Sequence, residues 1–252
     1  MSGHSKWAKI KRTKGSADAA RGRLFSRLIR EITIAARMGG GNPEGNPRLR
    51  AAISAARDAN MPNKNIENAI AKGTGAIEGG AAYEEFILEG YAPGGVALLI
   101  ECMSDNRNRT ISEVRHVLTK AGGNLGAANS VAWMFKAKGI IRIDKNAKDE
   151  DALMEIVLNA GASDMILDED EYEITTSQEA FEDVKNAIEQ AGIKPLSAEI
   201  SKVAENSVKL EGDSALKVLK LIDEIDELDD TQHVYHNLEV SDEIIEKYAK
   251  QS

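Results

Sequence analysis

The sequence is poor in the residues that most catalytic and metal sites require. It has one cysteine, Cys102, and four histidines among 252 residues. A lone cysteine forms no internal disulfide, which is typical of proteins in a reducing compartment. No histidine or cysteine cluster has the spacing of a zinc site, and His233 and His236 alternate faces in a predicted strand. We therefore expect no metal site, no cofactor and no enzymatic activity, and interpret Cys102 as a buried structural thiol.

Long apolar runs are also missing. No run approaches the roughly 20 residues that a helix needs to cross a membrane. The N-terminus passes from Met1 to charged residues without the apolar stretch of a secretory signal. The 42% hydrophobic and 29% charged residues are typical of a soluble globular protein. We expect a cytoplasmic protein without a membrane partner, and the composition leaves the oligomeric state open.

The net charge of −9 conceals a strong asymmetry along the chain. Residues 1–72 contain 15 Lys and Arg against 5 Asp and Glu, a net charge of +10, so the remaining residues carry −19. A basic segment on an acidic body can bind phosphates locally, while the acidic part limits nonspecific wrapping. This pattern favours nucleic acid as the partner, and a solvated basic face is the alternative.

Two basic elements make up the N-terminal region. The first is a lysine-rich arm around Trp7, and the second is a helix from about Ser16 to the glycines at 39–41, with arginines opposite its apolar stripe. Arginines bind phosphate bidentately, and Trp7 can either stack on a base or pack against the helix. The predicted nucleic-acid-binding residues are Lys6, Trp7, Lys9, Lys11, Arg12, Lys14, Arg23, Arg27, Arg30, Arg37, Arg48 and Arg50.

A polar turn from Ser104 to Thr110 is a possible second anion site. It lies between a predicted strand and a helix, whose N-terminal amides can hold an anion. Asn106, Arg107 and Arg109 are its candidate residues. The alternative is that the asparagines stabilise a turn and the arginines pair with acidic neighbours.

Hydrophobic patterning predicts an α+β protein, with a helical N-terminal domain followed by two ferredoxin-like sandwich domains. Residues 1–77 form the basic helical domain. Residues 83–125 supply only two strands and one helix, so we expect the tail to complete that sheet. The predicted domains are thus 78–129 together with 206–252, and an inserted domain at 130–205.

Several finer features follow from local patterns. Gly73 is expected to cap the third helix, and Thr110 with Glu113 has the spacing of a capping box. Two strands, Val131–Lys136 and Ile140–Ile143, are predicted with a turn between them. The acidic run Asp223–Asp230 is expected to form a solvated helix face.

Long motifs spread over nearly the whole chain resemble the YebC/PmpR family. The segments that carry the resemblance are Gly3-His4-Ser5-Lys6-Trp7, Asn46-Pro47-Arg48-Leu49-Arg50, Glu89–Gly95, Ser104–Thr110, Lys120–Gly126 and Val234-Tyr235-His236-Asn237. The resemblance implies a helical N-terminal domain followed by two α+β domains. Bacterial members are described as DNA-binding transcriptional regulators. Mitochondrial relatives are described as translational activators of a cytochrome oxidase subunit, and some bacterial members are linked to ribosomes stalled on proline runs.

Together, the resemblance and the charge pattern predict a nucleic-acid-binding regulator of gene expression, with transcriptional regulation placed first. The alternative is a ribosome-associated translation factor that binds ribosomal RNA. The helix after Asn46 is dominated by alanine and has few basic positions, so it does not resemble a polar recognition helix, and an extended basic arm suits structured RNA as well as DNA. An enzymatic function would require a pocket that gathers Tyr91 with the turn at Asn106–Arg109.

Overall fold

The structure, a computed structural model, describes residues 17–77, 83–168 and 170–251 of the chain. The first part is a bundle of three helices with the bounds α1 Ala17–Gly39, α2 Pro47–Asp58 and α3 Asn63–Gly73. Asn46 caps α2 as predicted, because its side-chain oxygen accepts a hydrogen bond from the N–H of Leu49 at 3.1 Å. The predicted helix start at Ser16 lies outside the described residues.

Gly73 has a different role from the predicted cap. It belongs to α3, and Thr74 caps the helix. A Cβ on Gly73 would lie 2.3 Å from the carbonyl oxygen of Thr33 in α1, so the missing side chain lets the two helices approach closely. The positive φ expected at the helix end occurs instead at Gly75, where it is 76°.

The rest of the chain alternates strands and helices. In chain order these are β1 Glu84–Ala92, β2 Val96–Ser104, α4 Arg107–Lys120, β3 Asn124–Leu125, β4 Phe135–Asp144, α5 Glu150–Asn159, β5 Ala162–Asp168, β6 Glu171–Ser177, α6 Phe181–Gln190, β7 Ser197–Ala204, β8 Val208–Lys209, α7 Gly212–Asp226, β9 Thr231–His236, β10 Leu238–Glu239 and α8 Asp242–Gln251. None of the described helices is long and apolar enough to span a membrane.

The first sheet joins the middle of the chain to its tail. Its antiparallel strands have the order β3-β1-β2-β9, and Leu98 of β2 pairs with His236 of β9. Helices α4, α7 and α8 pack against this sheet around Leu118, Leu219 and Ile245. The tail therefore completes the sheet that the hairpin of β1 and β2 begins.

The second sheet contains β4 to β7 in the order β5-β6-β4-β7, and all of its pairings are antiparallel. Helices α5 and α6 cover one face around Leu153 and Ile188. This order and the β-α-β-β-α-β succession are those of a ferredoxin-like sandwich. A smaller cluster that includes Leu99 and Phe135 packs this unit against the first sheet.

Two local predictions in this part of the chain were wrong. Strand β4 is continuous, whereas two strands with a turn were predicted. Gly139, which was predicted to form the turn, lies within this strand. A Cβ at this position would come 2.4 Å from the Phe181 ring, so the glycine allows that ring to pack against the strand. Helix α4 begins at Arg107 with Asn106 as its cap, so the capping box at Thr110 does not form.

The fold class is confirmed: a helical N-terminal region precedes two α+β units with antiparallel sheets. The strand pairing gives the connectivity of the two sheets. The residue boundaries at which the sequence divides the chain into three domains remain a proposal.

Candidate nucleic-acid interface

The basic arm comes first among the predicted nucleic-acid-binding elements. Lys6, Trp7, Lys9, Lys11, Arg12 and Lys14 all lie outside the described residues. The structural account of the interface therefore begins with α1.

Helix α1 divides its side chains between two surfaces. Ile32, Ala35 and Ala36 are buried in the core of the helical bundle. Arg23, Arg27 and Arg30, at i, i+4 and i+7, share another side of the helix. We call these three residues the arginine face.

The arginine face contacts the last residue of α7 and the loop between α7 and β9. Arg23 lies 3.2 Å from the Glu227 carboxylate, Arg27 lies 3.2 Å from the Asp226 carboxylate, and Arg30 lies 3.7 Å from the Asp230 carboxylate. Arg27 and Arg30 also donate hydrogen bonds to the backbone carbonyls of Asp226 and Asp229. The arginine face is therefore occupied by residues 226–230, which we call the acidic segment.

The acidic segment attracts cations strongly for two reasons. It follows the C-terminal end of α7, where the last carbonyls lack intrahelical partners and the helix dipole is negative. Asp226 and Asp230 are also buried, and a buried carboxylate requires partners. The expectation that the acidic run forms only a solvated face was therefore wrong for these two residues.

Asp230 connects the acidic segment to the predicted second anion site. Its Oδ2 atom accepts hydrogen bonds from Ser104 Oγ at 2.8 Å, Thr110 Oγ1 at 2.7 Å and Arg109 Nη2 at 2.8 Å. Burial acts to raise the pKa of Asp230, but these donors outweigh it and the net pKa is lowered. The side chain is thus held as a carboxylate.

The turn at Asn106–Arg109 therefore binds the chain's own carboxylate. The Asn106 side chain accepts a hydrogen bond from the N–H of Arg109 at 3.1 Å. Arg109 pairs with Asp105 and Asp230, and Arg107 lies 4.6 Å above the Phe86 ring. These contacts favour the alternative in which the turn is structural. Tyr91, the other component of the enzymatic hypothesis, has a different partner, since its hydroxyl donates to the Ser130 carbonyl at 3.1 Å.

Arg48 also has an intramolecular role. It donates two hydrogen bonds to the Glu31 carboxylate, at 2.6 and 2.9 Å, and binds Glu85 of β1. Arg48 thereby links α1 and α2 of the bundle to the first sheet. Its guanidinium is surrounded by carboxylates, so it is a poor phosphate ligand in this arrangement.

Other cations of the bundle are open to solvent. Arg37 is exposed in the last turn of α1 and Arg50 is exposed on α2. Among the described residues, five exposed cations of the bundle have no carboxylate partner, namely Arg21, Arg50, Arg57, Lys64 and Lys72. These five side chains can bind an anion without displacing a carboxylate, and Arg50 donates only to the Pro43 carbonyl, at 3.4 Å.

The described residues contain no group of three or more histidine, cysteine or acidic side chains that could hold a metal ion. Cys102 is buried, and this burial with the nearby charges of Asp230 and Glu101 raises the pKa of its thiol to about 12. Its burial agrees with the interpretation of a structural thiol.

Family models match nearly the whole chain. The TACO1/YebC protein N-terminal domain matches residues 5–76. The TACO1/YebC second and third domain matches residues 83–238. The chain belongs to the TACO1/YebC family. The resemblance inferred from the sequence motifs is thereby confirmed.

Close relatives within the TACO1/YebC family have regulatory names. A probable transcriptional regulatory protein of Geobacter sulfurreducens is 53% identical over 247 residues, which are 98% of this chain and 99% of the relative. A protein of the same name from Dictyoglomus thermophilum is 54% identical with the same coverage. The crystal structure of a conserved hypothetical protein from Aquifex aeolicus is similar, with a TM-score of 0.81 and 47% identity over 91% of this chain and 94% of that chain.

Two features of this TACO1/YebC protein were not predicted. One is the pairing of the arginine face with the acidic segment, for which the opposite charges of the two regions were the available signal. The other is the exposure of Arg21, Arg57, Lys64 and Lys72. Their positions on the polar sides of amphipathic helices could have identified them.

Proposed function

We propose that this protein is a nucleic-acid-binding regulator of gene expression that contacts its partner through the helical N-terminal region. The observation that carries the proposal is the set of free exposed cations, Arg21, Arg50, Arg57, Lys64 and Lys72, in a region of net charge +10. Unpaired surface cations release counterions when they bind phosphates, which favours polyanions. The names of the relatives support transcription as the process regulated.

The exposed side of α2 supports binding to the backbone rather than to bases. Arg50 and Arg57 are seven residues apart and therefore share one side of this helix. Their exposed neighbours are Ala51, Ser54 and Ala55, so this side lacks the Asn and Gln side chains that recognise adenine in the major groove. Phosphate contacts fix position and affinity without reading sequence directly.

The salt dependence of binding tests this proposal. Arg50→Gln with Arg57→Gln should weaken binding to a short DNA duplex and reduce the slope of log K against log salt by about two, since each duplex phosphate contact contributes about 0.9. Lys194→Gln with Lys217→Gln is the matched control, because both lysines are exposed outside the bundle. Equal slopes for the two variants would overturn the proposal.

Transcriptional regulation makes a narrower claim about the nucleic acid. It requires binding to a defined promoter duplex that survives competitor DNA at physiological salt. Crosslinking in cells followed by sequencing of the bound nucleic acid would identify such duplexes. Equal affinity for promoter and random duplex would exclude sequence-specific regulation by this chain alone.

A ribosome-associated translation factor is the second candidate. The alanine-rich exposed side of α2 agrees with it as well as with the first candidate, because contacts to the backbone suit structured RNA and duplex DNA alike. It predicts co-sedimentation with ribosomes that is lost when Arg50 and Arg57 become glutamate. Unchanged sedimentation of that variant would argue strongly against it.

The proposal includes no catalytic step and assigns the protein to the cytoplasm. The absence of a catalytic step is supported by the buried thiol of Cys102 and by the separate partners of Tyr91 and Arg109. Incubation of the purified protein with nucleotides and nucleic acids should give no chemical conversion of either. A turnover that depends on Arg109 would overturn this part of the proposal.

A further inference from the structure

The arginine face and the acidic segment form a contact that resembles protein binding to a nucleic-acid backbone. We propose that the arginine face is a second phosphate-binding surface, and that the acidic segment occupies it until a nucleic-acid strand displaces the segment. This inference rests on the proposed function and adds a competition within the chain to it.

The arginine face presents three guanidinium groups in a row along α1. Arg23, Arg27 and Arg30 are separated by four and three residues, which places them about 6 Å and 4.5 Å apart along the helix axis. A guanidinium binds carboxylate and phosphate through the same fork, so the carboxylates of the acidic segment mark positions that phosphate oxygens can take.

The contact is built to be released. Within the described chain, the apolar core of the helical bundle contains no residue of α7, and the core around α7 contains no residue of the bundle. The arginine face therefore meets the acidic segment through charges and hydrogen bonds. At its outer edge the Glu227 side chain is 60% exposed, and such pairs weaken as salt increases.

A cavity borders the middle of the contact. Arg27 and Asp226 line a cavity of about 310 Å3 between β9 and the open side of the second sheet. The Arg27 side chain of this ion pair is 23% exposed, so counterions can reach it from that side.

Asp230 retains hydrogen-bond donors when α1 separates from the acidic segment. Arg30 is its longest contact at 3.7 Å, whereas Arg109, Ser104 and Thr110 donate to it at 2.7–2.8 Å. Asp230 therefore keeps three donors when Arg30 leaves, and it does not become an unpaired buried charge. The acidic segment is a replaceable partner of the arginines rather than an essential part of their fold.

The decisive comparison uses two double variants with the same change of net charge. Asp226→Asn with Glu227→Gln removes the competing carboxylates at the C-terminal end of α7. Glu211→Gln with Asp213→Asn is the control, because these exposed residues lie at the other end of the same helix, about 20 Å away. That distance exceeds the Debye length of about 8 Å at physiological salt.

The probes are a short random-sequence DNA duplex and an RNA hairpin of equal length. The first variant should bind at least one probe about five- to tenfold more tightly than the wild type, as expected when a competing state is removed. The control variant should change affinity by less than about twofold. Equal gains for the two variants would overturn the inference while leaving the proposed function intact.

A distance measurement on a chain with the native arginine face and acidic segment provides an independent test. Spin labels at Ser26→Cys on α1 and Lys217→Cys on α7 occupy exposed positions, and the native Cys102 is buried. Addition of whichever probe the protein binds, the DNA duplex or the RNA hairpin, should lengthen the distance between the labels. An unchanged distance with probe bound would overturn displacement. Absence of binding by the wild type and both variants would overturn the proposed function together with this inference.

Discussion

The carbonyl oxygen of Thr33 lies where a side chain at residue 73 would begin, since a Cβ on Gly73 would come 2.3 Å from it. Helices α1 and α3 touch through their backbones at this point. The position of α1, and with it the arginine face, therefore depends on this glycine.

We expect Gly73→Ala to destabilise the helical bundle by about 1–3 kcal/mol, because the methyl group forces the two helices apart. Gly22→Ala is the control, since Gly22 is exposed on α1 and a Cβ there would meet nothing within 4 Å. That substitution should stabilise α1 by up to about 1 kcal/mol through helix propensity. Denaturant unfolding of the two variants measures both effects, and a loss of the same size in both would contradict the packing argument.

Glu89 shapes the loop that precedes β4. Its carboxylate accepts hydrogen bonds from the N–H groups of Asn129, Val131 and Ala132 at 2.6, 2.7 and 2.8 Å. We expect Glu89→Gln to lower the free energy of unfolding by about 1.5–3 kcal/mol, because a charged acceptor is lost. Glu84→Gln on the same strand is the control, since Glu84 is exposed.

The contribution of Glu89 should also depend on pH. Burial acts to raise the pKa of Glu89, but the three N–H donors outweigh it and the net pKa is lowered. A lowered folded pKa gives stability that is complete above the unfolded value of about 4.3 and is lost as the pH falls through the folded value. The difference in unfolding free energy between wild type and Glu89→Gln should therefore shrink below about pH 4. A difference that stays constant down to pH 2 would contradict this assignment.

Periodicity and turn chemistry predicted much of this fold because both are local properties. Asn46-Pro47 marks the start of α2, and the tail strand β9 completes the first sheet because two strands and one helix do not bury a sheet face alone. Gly73 was misassigned because the sequence signal for a helix cap and for close helix packing is the same residue.

The candidate site was predictable in composition but not in its partners. A stripe of arginines suits phosphate and carboxylate equally well, so the sequence of α1 alone does not distinguish a nucleic acid from another part of the chain. The acidic run has the apolar spacing expected of a helix, with Leu221 and Ile225 buried. Asp226 is paired with Arg27, which is almost two hundred residues away in sequence. Contacts of this kind follow from the assembled fold only.

The burial of Cys102 predicts low reactivity. A thiol whose pKa is raised to about 12 has almost no thiolate at neutral pH, and thiolate is the reactive form. The native protein should therefore react with a thiol reagent only as fast as it opens or unfolds. Ser26→Cys provides the control, because its exposed second thiol should react at once. Rapid labelling of Cys102 in the native wild type would show that the strand β2 is more accessible than the structure indicates.

Asp230 and Asp229 are neighbours with opposite environments, and the pair tests the central role of Asp230. Asp230 is buried and accepts three hydrogen bonds, whereas the Asp229 side chain is exposed. We expect Asp230→Asn to lower the free energy of unfolding by about 1.5–3 kcal/mol, because the amide places a donor among the donors of Ser104, Thr110 and Arg109. Asp229→Asn should change the free energy of unfolding by less than about 0.5 kcal/mol.

The pKa of Asp230 is lowered, so the contribution of Asp230 to stability is present above the ordinary aspartate value of about 3.9 and is lost as the pH falls further. Urea unfolding at neutral pH and near pH 3 measures both effects, and equal stability of the two variants at neutral pH would show that the network around Asp230 does not stabilise the fold.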